Sequence, residues 1–297
     1  MADSLQLETL GLPIDTAVCF STVKNVFSKR IMKRQLKTLK PLAPLLKQFL
    51  DPDETILVAA RATSPHSTLA AVTTGAYIHY VKRCILVVTS RRILHIPTRP
   101  NFSPKQSIAQ ALYGDIAAIK FRGFLGRDVR LTYKSGRKER FSSIPSRDFK
   151  KLKAVLGAFP REGPPTPARE RHHLCPKCMS PLAKGRYACT VCRLEFKNRE
   201  VAMRRALLIP GGGWFYTGHT ILGVLYALIE TLLLLDIVLG LVLMFTGLDE
   251  AGGSRHVIFP VLLLALEKIL SMHHVGQSLD EYIPADADFV PIKSHSR

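Results

Sequence analysis

The chain has 297 residues, with 42 Lys and Arg against 23 Asp and Glu, and a formal net charge of +19 at pH 7. Hydrophobic residues make up 47% of it, which excludes a chain too polar to bury a core. The basic excess favours an anionic partner, either phosphate-rich lipid or nucleic acid. The alternative is the Lys and Arg excess of the cytoplasmic parts of membrane proteins.

The first fifty residues are predicted to form a basic, amphipathic helical segment, residues 1–50. The opening MADSLQLETLGLPID carries acids where a secretory signal carries bases, so we expect a cytoplasmic body. Residues 16–50 contain no acid, and apolar residues recur there at helical spacing. The predicted apolar stripes are Phe20, Val23, Phe27 and Ile31 on one face, and Met32, Leu36 and Leu39 on another.

Two interpretations of this segment stay open. The bases could attach the segment to an anionic membrane surface. Alternatively, the helix could pack on the next domain and leave its charges in water. In the first case the residues expected to contact lipid headgroups or other phosphates are Lys24, Lys29, Arg30, Lys33, Arg34, Lys37 and Lys40.

Residues 51–159 are predicted to be one α+β domain of short strands followed by a helix. A turn at 134–136 should pair the last two strands, and Ser146 is the expected N-cap of the helix. We expect a small β-barrel capped by this C-terminal helix. The predicted strands are 55–62, 77–80, 84–89, 93–96, 115–121, 129–133 and 137–142.

The phrases DETILVAARA (53–62), CILVVTSRRILHI (84–96), DIAAIKFR (115–122), LTYKSGRKERF (131–141) and SRDFKKLKAVL (146–156) follow one another in this domain. In this order the domain resembles the bacterial pleckstrin-homology-like (PH-like) domains. The resemblance implies a mostly non-catalytic module that binds lipids, peptides or other proteins.

A proline-rich stretch, PREGPPTPARER, follows this domain and has four prolines in twelve residues. Proline in a helix interior removes a hydrogen bond and clashes with the preceding turn, so such a stretch favours an extended linker. Residues 160–172 are therefore predicted to be a linker at the strongest internal domain boundary.

Four of the six cysteines form two CxxC pairs, Cys175/Cys178 and Cys189/Cys192, with ten residues between the pairs. Two tight turns of this kind can present four thiolates to one tetrahedral ion. Over residues 173–198 the pattern resembles a zinc ribbon, which implies one structural Zn²⁺ and no open coordination position. We expect the neighbouring His172 and His173 to face solvent in a basic run.

From Ala206 to Phe245 the chain has no Lys or Arg, which predicts a membrane-spanning segment. A second apolar run, Val257–Met272, is shorter. Residues 204–275 are predicted to be a transmembrane helical hairpin with both ends cytoplasmic, although two or three crossings stay open. A polar tail is expected at 276–297. The expected membrane-interface residues are Arg204, Arg205, Trp214 and Tyr216.

The phrase PGGGWFYTGHTILGVLYAL is similar to a small two-transmembrane-helix family with a Gly-rich, F-Y-x-G segment. Two acids, Glu230 and Asp236, fall inside the first predicted span, where ionisable groups are costly and often functional. They are six residues apart and so lie on different helical faces. We expect them to hydrogen-bond a neighbouring helix or a second copy of the protein.

No catalytic motif such as GxSxG, HExxH or a P-loop occurs in the chain. We therefore expect a non-enzymatic, membrane-anchored zinc-binding protein whose PH-like domain binds anionic lipid or a protein partner. Homo-oligomers are a further expectation, and no small-molecule substrate is indicated. The alternative is a membrane-tethered nucleic-acid-binding or regulatory protein that uses the zinc ribbon and the basic N-terminal helix. A third hypothesis, a channel or transporter subunit, is supported by Glu230 and Asp236 alone.

Overall fold

The computed structural model describes residues 10–24, 26–123, 126–158, 163–246, 253–286 and 289. The chain divides into two compact units. The first unit contains Met1–Phe196 together with Glu281–Arg297, and the second contains Lys197–Asp280. The chain therefore leaves the first unit after Phe196 and returns to it at Glu281.

The first unit is built on two antiparallel sheets. The larger sheet has the strand order β1-β2-β3-β4-β8, and the smaller has the order β5-β6-β7. The strands are β1 Ile56–Thr63, β2 Arg83–Thr89, β3 Arg92–Pro97, β4 Ile108–Leu112, β5 Ile116–Arg122, β6 Asp128–Tyr133, β7 Lys138–Phe141 and β8 His172–Leu174.

The larger sheet is covered on both faces, which explains why its central strands are continuous apolar runs. Successive side chains of a strand point to opposite faces. In β2, Ile85 and Val87 therefore join a core shared with the N-terminal helices. Leu86 and Val88 join a second core, shared with the smaller sheet. Two separate cores thus lie against this one sheet.

Helices supply the outer layers of the first unit. Met32, Leu36 and Leu39 of α2 enter the first core, and Leu152 and Leu156 of α6 enter the second. The helices are α1 Thr16–Cys19, α2 Lys29–Leu39, α3 Ala43–Phe49, α4 Thr68–Thr74, α5 Ile78–Val81 and α6 Ser146–Ala158.

The sheets do not close into a barrel, so that part of the predicted fold was wrong. The outer edge of β4 pairs with β8, with Ile108 opposite Leu174, and a 3₁₀ turn at Tyr113–Asp115 separates β4 from β5. A backbone bridge between Thr63 and Ser142 connects the two sheets. The predicted strand at 77–80 was also wrong, because Ile78–Val81 is helical.

The stripe predicted from Phe20 to Ile31 does not form, because the helix starts only at Lys29. Ser21 and Phe27 instead pair with each other through an antiparallel backbone bridge. Phe20 is buried in the first core, whereas Phe27 is exposed. Helical periodicity had therefore grouped residues that lie in different local structures.

The second unit is entirely helical within its described residues. Its helices are α7 Arg199–Leu208, α8 Gly212–Thr217, α9 Thr220–Thr246 and α10 Gly253–Leu279. Two helices, Thr220–Thr246 and Val257–Gly276, are long and apolar enough to cross a membrane. Most of their apolar side chains are exposed, as in a surface that meets hydrocarbon rather than a protein core.

Candidate metal centre and neighbouring polar sites

Two turns of the same geometry position the four clustered cysteines. The Met179 amide donates to the Cys175 carbonyl at 2.8 Å, and the Arg193 amide donates to the Cys189 carbonyl at 3.0 Å. Met179 and Arg193 both have left-handed backbones, with φ of 62° and 57°. The same turn thus occurs twice, fourteen residues apart. Each turn directs two sulfur atoms toward one shared position.

The four sulfurs form a group that could hold a metal ion. All four Sγ atoms lie within 4.8 Å of one another. The Cys175–Cys192 sulfurs are 3.4 Å apart and the Cys178–Cys189 sulfurs 3.6 Å apart. A tetrahedral ion with bonds of about 2.3 Å would separate its sulfurs by about 3.8 Å, so the group fits such an ion with small adjustments.

The surroundings of Cys189 favour the thiolate that a metal requires. Burial raises the pKa of this thiol, but the Cys192 amide, the Ser180 hydroxyl and the Val191 amide outweigh burial. The net effect lowers the pKa of Cys189 to about 6. Its sulfur is therefore ready to ligate at neutral pH.

The chain that follows α10 completes the small core around the cysteines. Tyr282 packs edge-on against Phe196, with ring centroids 5.8 Å apart. Its hydroxyl accepts from the Gly185 amide at 2.9 Å and donates to the Ala183 carbonyl at 3.1 Å. A backbone bridge joins Phe196 to Pro284. Part of the predicted polar tail is thus buried in the first unit.

Glu281 fixes the same segment to the larger sheet. Its carboxylate accepts from the ammonium groups of Lys82 and Lys105, each at 3.3 Å, and all three side chains are buried. Burial alone would raise the pKa of Glu281, but Lys105 and Lys82 outweigh it and the pKa is lowered. Glu281, Tyr282 and Pro284 are called the C-terminal strap below. Sequence patterns gave no signal for it, because its partners are far away in the chain.

A second buried hydrogen-bond network includes Arg171, which lies in the predicted linker. Arg171 donates to both carboxylate oxygens of Glu139, at 2.8 and 3.0 Å, and to His95 Nδ1 at 2.7 Å. Because Nδ1 accepts, His95 must carry its proton on Nε2 and donate it to Ser64 Oγ at 2.8 Å. Burial, and then Arg171, hold the pKa of His95 well below its usual value.

The two histidines beside the cysteines do not face solvent as predicted. His172 and His173 belong to β8, which pairs with β4. The His173 ring packs against the Tyr282 ring at a tilt, with centroids 4.8 Å apart, and His172 contacts Gln110. Their partners lie away from the sulfur cluster, whose described members are cysteines alone.

Helix α2 has one buried face and one basic face. Gln35 on the buried face binds the edge of β1 by exchanging two hydrogen bonds with the Ala59 backbone, at 3.0 and 2.9 Å. Arg34 is paired with Asp148 at 3.0 Å and is therefore not fully available to a ligand. The exposed residues, called the basic face below, are Lys29, Arg30, Lys33, Lys37 and Lys40.

An exposed apolar loop precedes the basic face. Val23, Val26 and Phe27 are 53%, 62% and 55% exposed, respectively. The Thr22 amide donates to the Val26 carbonyl at 2.7 Å, which holds the loop closed. These three apolar residues are called the apolar loop below. Lys24, another predicted contact residue, is exposed in the same loop.

In the second unit, the predicted intramembrane acids have different surroundings. Glu230 is 1% exposed and pairs with Lys268 at 2.6 Å, whereas Asp236 is half-buried. Trp214, predicted to face the membrane boundary, is buried with 1% exposure, while Tyr216 is half-buried. The other predicted boundary residues, Arg204 and Arg205, are exposed.

Within the residues that the structure describes, the fold and the sulfur cluster define a mixed α/β protein with one candidate metal centre and two helices long and apolar enough to cross a membrane. The chain matches no protein-family model, no curated protein and no solved structure.

Proposed function

We propose that this protein is a non-enzymatic, membrane-anchored zinc protein whose first unit binds anionic lipid. The observation that carries the proposal is the basic face of α2 directly after the apolar loop. A peripheral membrane site needs cations for the headgroups and apolar side chains for the acyl boundary. Both features occur here within one short segment.

The magnitude of this attraction is large enough to matter. Each base close to an anionic bilayer contributes about 1 kcal/mol, so the five bases of the basic face supply about 5 kcal/mol before ordering costs. The apolar loop adds burial of three side chains, at about 25 cal/mol per Å² of apolar area removed from water. Neither contribution requires a specific pocket, so we expect a preference for anionic lipid rather than for one headgroup.

The architecture of the first unit supports a binding module. Short antiparallel strands followed by the helix α6 agree with the order of short strands and a C-terminal helix on which the PH-like resemblance was based. In this proposal β8 and the cysteine turns are an addition to the PH-like core. The four thiolates would hold one Zn²⁺ with no position left for substrate, so the ion would act structurally.

The membrane anchor is proposed to be a hairpin with both ends in the cytoplasm. The bridge between Phe196 and Pro284 supports an even number of crossings, because residues on opposite sides of a bilayer could not pair. The two helices able to cross then suffice. The bases of the first unit match the cytoplasmic excess of Lys and Arg.

Hydrogen exchange of the full chain in nanodiscs tests the lipid proposal. We expect the amides of residues 22–24 and 26–40 to be protected in phosphatidylglycerol-containing discs compared with pure phosphatidylcholine discs. Replacing Lys29, Arg30, Lys33 and Lys37 with Glu should abolish that difference. A control variant with the same charge change should keep it, namely Glu at the exposed Lys120, Lys134, Lys138 and Lys153.

A second pair of variants separates insertion from charge attraction. Val26→Asn with Phe27→Asn should weaken protection, whereas Val191→Asn removes an equally exposed apolar side chain elsewhere and should not. Equal exchange in neutral and anionic discs would refute the lipid proposal. Protection by added duplex DNA instead, lost as salt rises, would favour nucleic-acid binding. Carbonate extraction of the same protein tests the anchor separately.

A further inference from the structure

A layer of polar side chains lies inside the helical unit, at the middle of its two long helices. Tyr226 and Glu230 are four residues apart on α9 and so share a face. Glu267 and Lys268 come from α10, and Trp214 of α8 stacks on Tyr226 with ring centroids 5.5 Å apart. In hydrocarbon such a layer is costly unless its groups are satisfied.

The Glu230 carboxylate accepts hydrogen bonds from two donors. One of its carboxylate oxygens, Oε2, accepts from the Lys268 ammonium at 2.6 Å and from the Gly211 amide at 3.3 Å. Lys268 also donates to the Ala206 carbonyl at 2.7 Å. These contacts join α9, α10 and the turn between α7 and α8 at one carboxylate.

The remaining polar atoms of this layer lack partners. Glu230 Oε1, both carboxylate oxygens of Glu267 and the indole nitrogen of Trp214 are buried without a hydrogen-bond partner among the described residues. Glu267 directly precedes Lys268, whose ammonium binds Glu230, and the Glu267 carboxylate interacts electrostatically with that of Glu230. Two carboxylates facing each other repel, and neither can donate, so the pair is one proton short of a hydrogen bond.

The sum of the formal charges in this layer also indicates that one positive charge is missing. Two carboxylates and the Lys268 ammonium leave one negative charge, and an uncompensated charge in hydrocarbon costs several kcal/mol or more. One added cation makes the layer neutral. A metal ion would need several further oxygen ligands and would lie beside the Lys268 ammonium, which repels it. A proton needs only the two carboxyl oxygens.

We propose that Glu230 and Glu267 form an intramembrane proton-binding site, in which Glu267 holds one proton and donates it to Glu230. This inference depends on the proposed membrane placement of α9 and α10. The charged and titratable groups that face the site are Lys268 on α10 and Tyr226 on α9. The Gly211 amide in the turn between α7 and α8 and the Ala206 carbonyl near the end of α7 complete the surroundings of the site. Loss of the proton would leave a net negative charge against that turn.

Infrared spectroscopy of the full chain in nanodiscs tests this site, because a protonated carboxyl group has a C=O band that a carboxylate lacks. At neutral pH in potassium buffer we expect one protonated carboxyl per chain, with the band shifted in D₂O. Glu267→Gln should remove the band. Asp236→Asn, a control in the same helix as Glu230, should leave it unchanged.

Absence of the band in the wild-type protein at neutral pH would overturn the proposal. A band that disappears when sodium replaces potassium would also overturn it and would indicate a metal-ion site. Membranes from cells that express the same protein are extracted with carbonate in a parallel experiment. Protein that resists extraction but lacks the band refutes the proton site alone. Protein that is extracted refutes the membrane placement, whatever its spectrum.

Discussion

The Glu281→Gln substitution is expected to release the C-terminal strap from the first unit. The wild-type carboxylate lies 3.3 Å from each of two buried ammonium groups, on Lys82 and Lys105. The amide of Gln has nearly the same shape but carries no charge. The side chain at position 281 would then no longer offset the positive charges of the two buried ammonium groups.

The expected cost follows from that uncompensated charge. Removal of one partner of a buried ion pair costs about 3–5 kcal/mol, and here both ammonium groups lose their ion pair with Glu281. At about 1.36 kcal/mol per tenfold change, local opening should become about 150-fold to 5,000-fold more frequent. Burial already lowers the pKa of Lys105, so loss of a proton from that lysine would reduce the cost at alkaline pH.

Hydrogen exchange at the Ala285 amide measures this opening, because that amide donates to the Glu195 carbonyl at 3.0 Å across the strap. The neighbouring Asp280→Asn removes an exposed carboxylate and should leave exchange at Ala285 unchanged. If exchange at the Ala285 amide were also unchanged in Glu281→Gln, the ion pairs of Glu281 would not hold the C-terminal strap in place.

The pH dependence of the wild-type strap gives a second check. The pKa of Glu281 is lowered from its usual 4.5, so its contribution is complete above that value and is lost as pH falls through the folded-state pKa. Exchange at Ala285 should therefore accelerate in acid for the wild-type protein and change much less in Glu281→Gln. Parallel acid profiles would contradict this assignment.

Three further predictions concern other sites. Cys178→Ser should abolish zinc binding, measured as metal content by native mass spectrometry, and a retained ion would exclude the four-sulfur site. Because the pKa of buried His95 is depressed, the first unit should lose stability as pH falls below about 6.5, and His95→Gln should flatten denaturation midpoints across that range. Gly211→Ala should destabilise the helical unit by at least about 1–3 kcal/mol, because Gly211 has φ +65° and a Cβ would lie 2.0 Å from the Gly223 carbonyl oxygen. Thermal unfolding measures this loss of stability. In the same measurement Gly157→Ala should be tolerated, because a Cβ at Gly157 meets nothing within 4 Å.

The features that could be predicted from the sequence are those with a local signal. The apolar run CILVVT predicts a buried strand, and β2 occupies Arg83–Thr89. The two CxxC turns lie fourteen residues apart and each has its own hydrogen bonds, so the grouping of four sulfurs is confirmed. The two apolar helices are confirmed for the same reason, since length and composition alone define them.

The features that sequence reasoning missed depend on partners far away in the chain. Strand β8 is only three residues long and exists because β4 offers an edge. Arg171 lies in a proline-rich stretch, yet the Glu139 carboxylate and His95 hold it in the core. The helical spacing from Phe20 to Phe27 wrongly predicted a helix. Burial of Phe20 and the backbone bridge between Ser21 and Phe27 outweigh the local periodicity.

The C-terminal strap packs against the small core around the four clustered cysteines. The small core around the cysteines includes Phe196, the last residue before the second unit, and Tyr282, which follows it closely. A segment of this size cannot hold a core alone, so we expect its folding to depend on a bound metal ion and on Tyr282 together. Metal binding and closure of the strap should therefore be one cooperative event. Cys178→Ser should consequently accelerate exchange at Ala285, whereas two independent events would leave that amide protected.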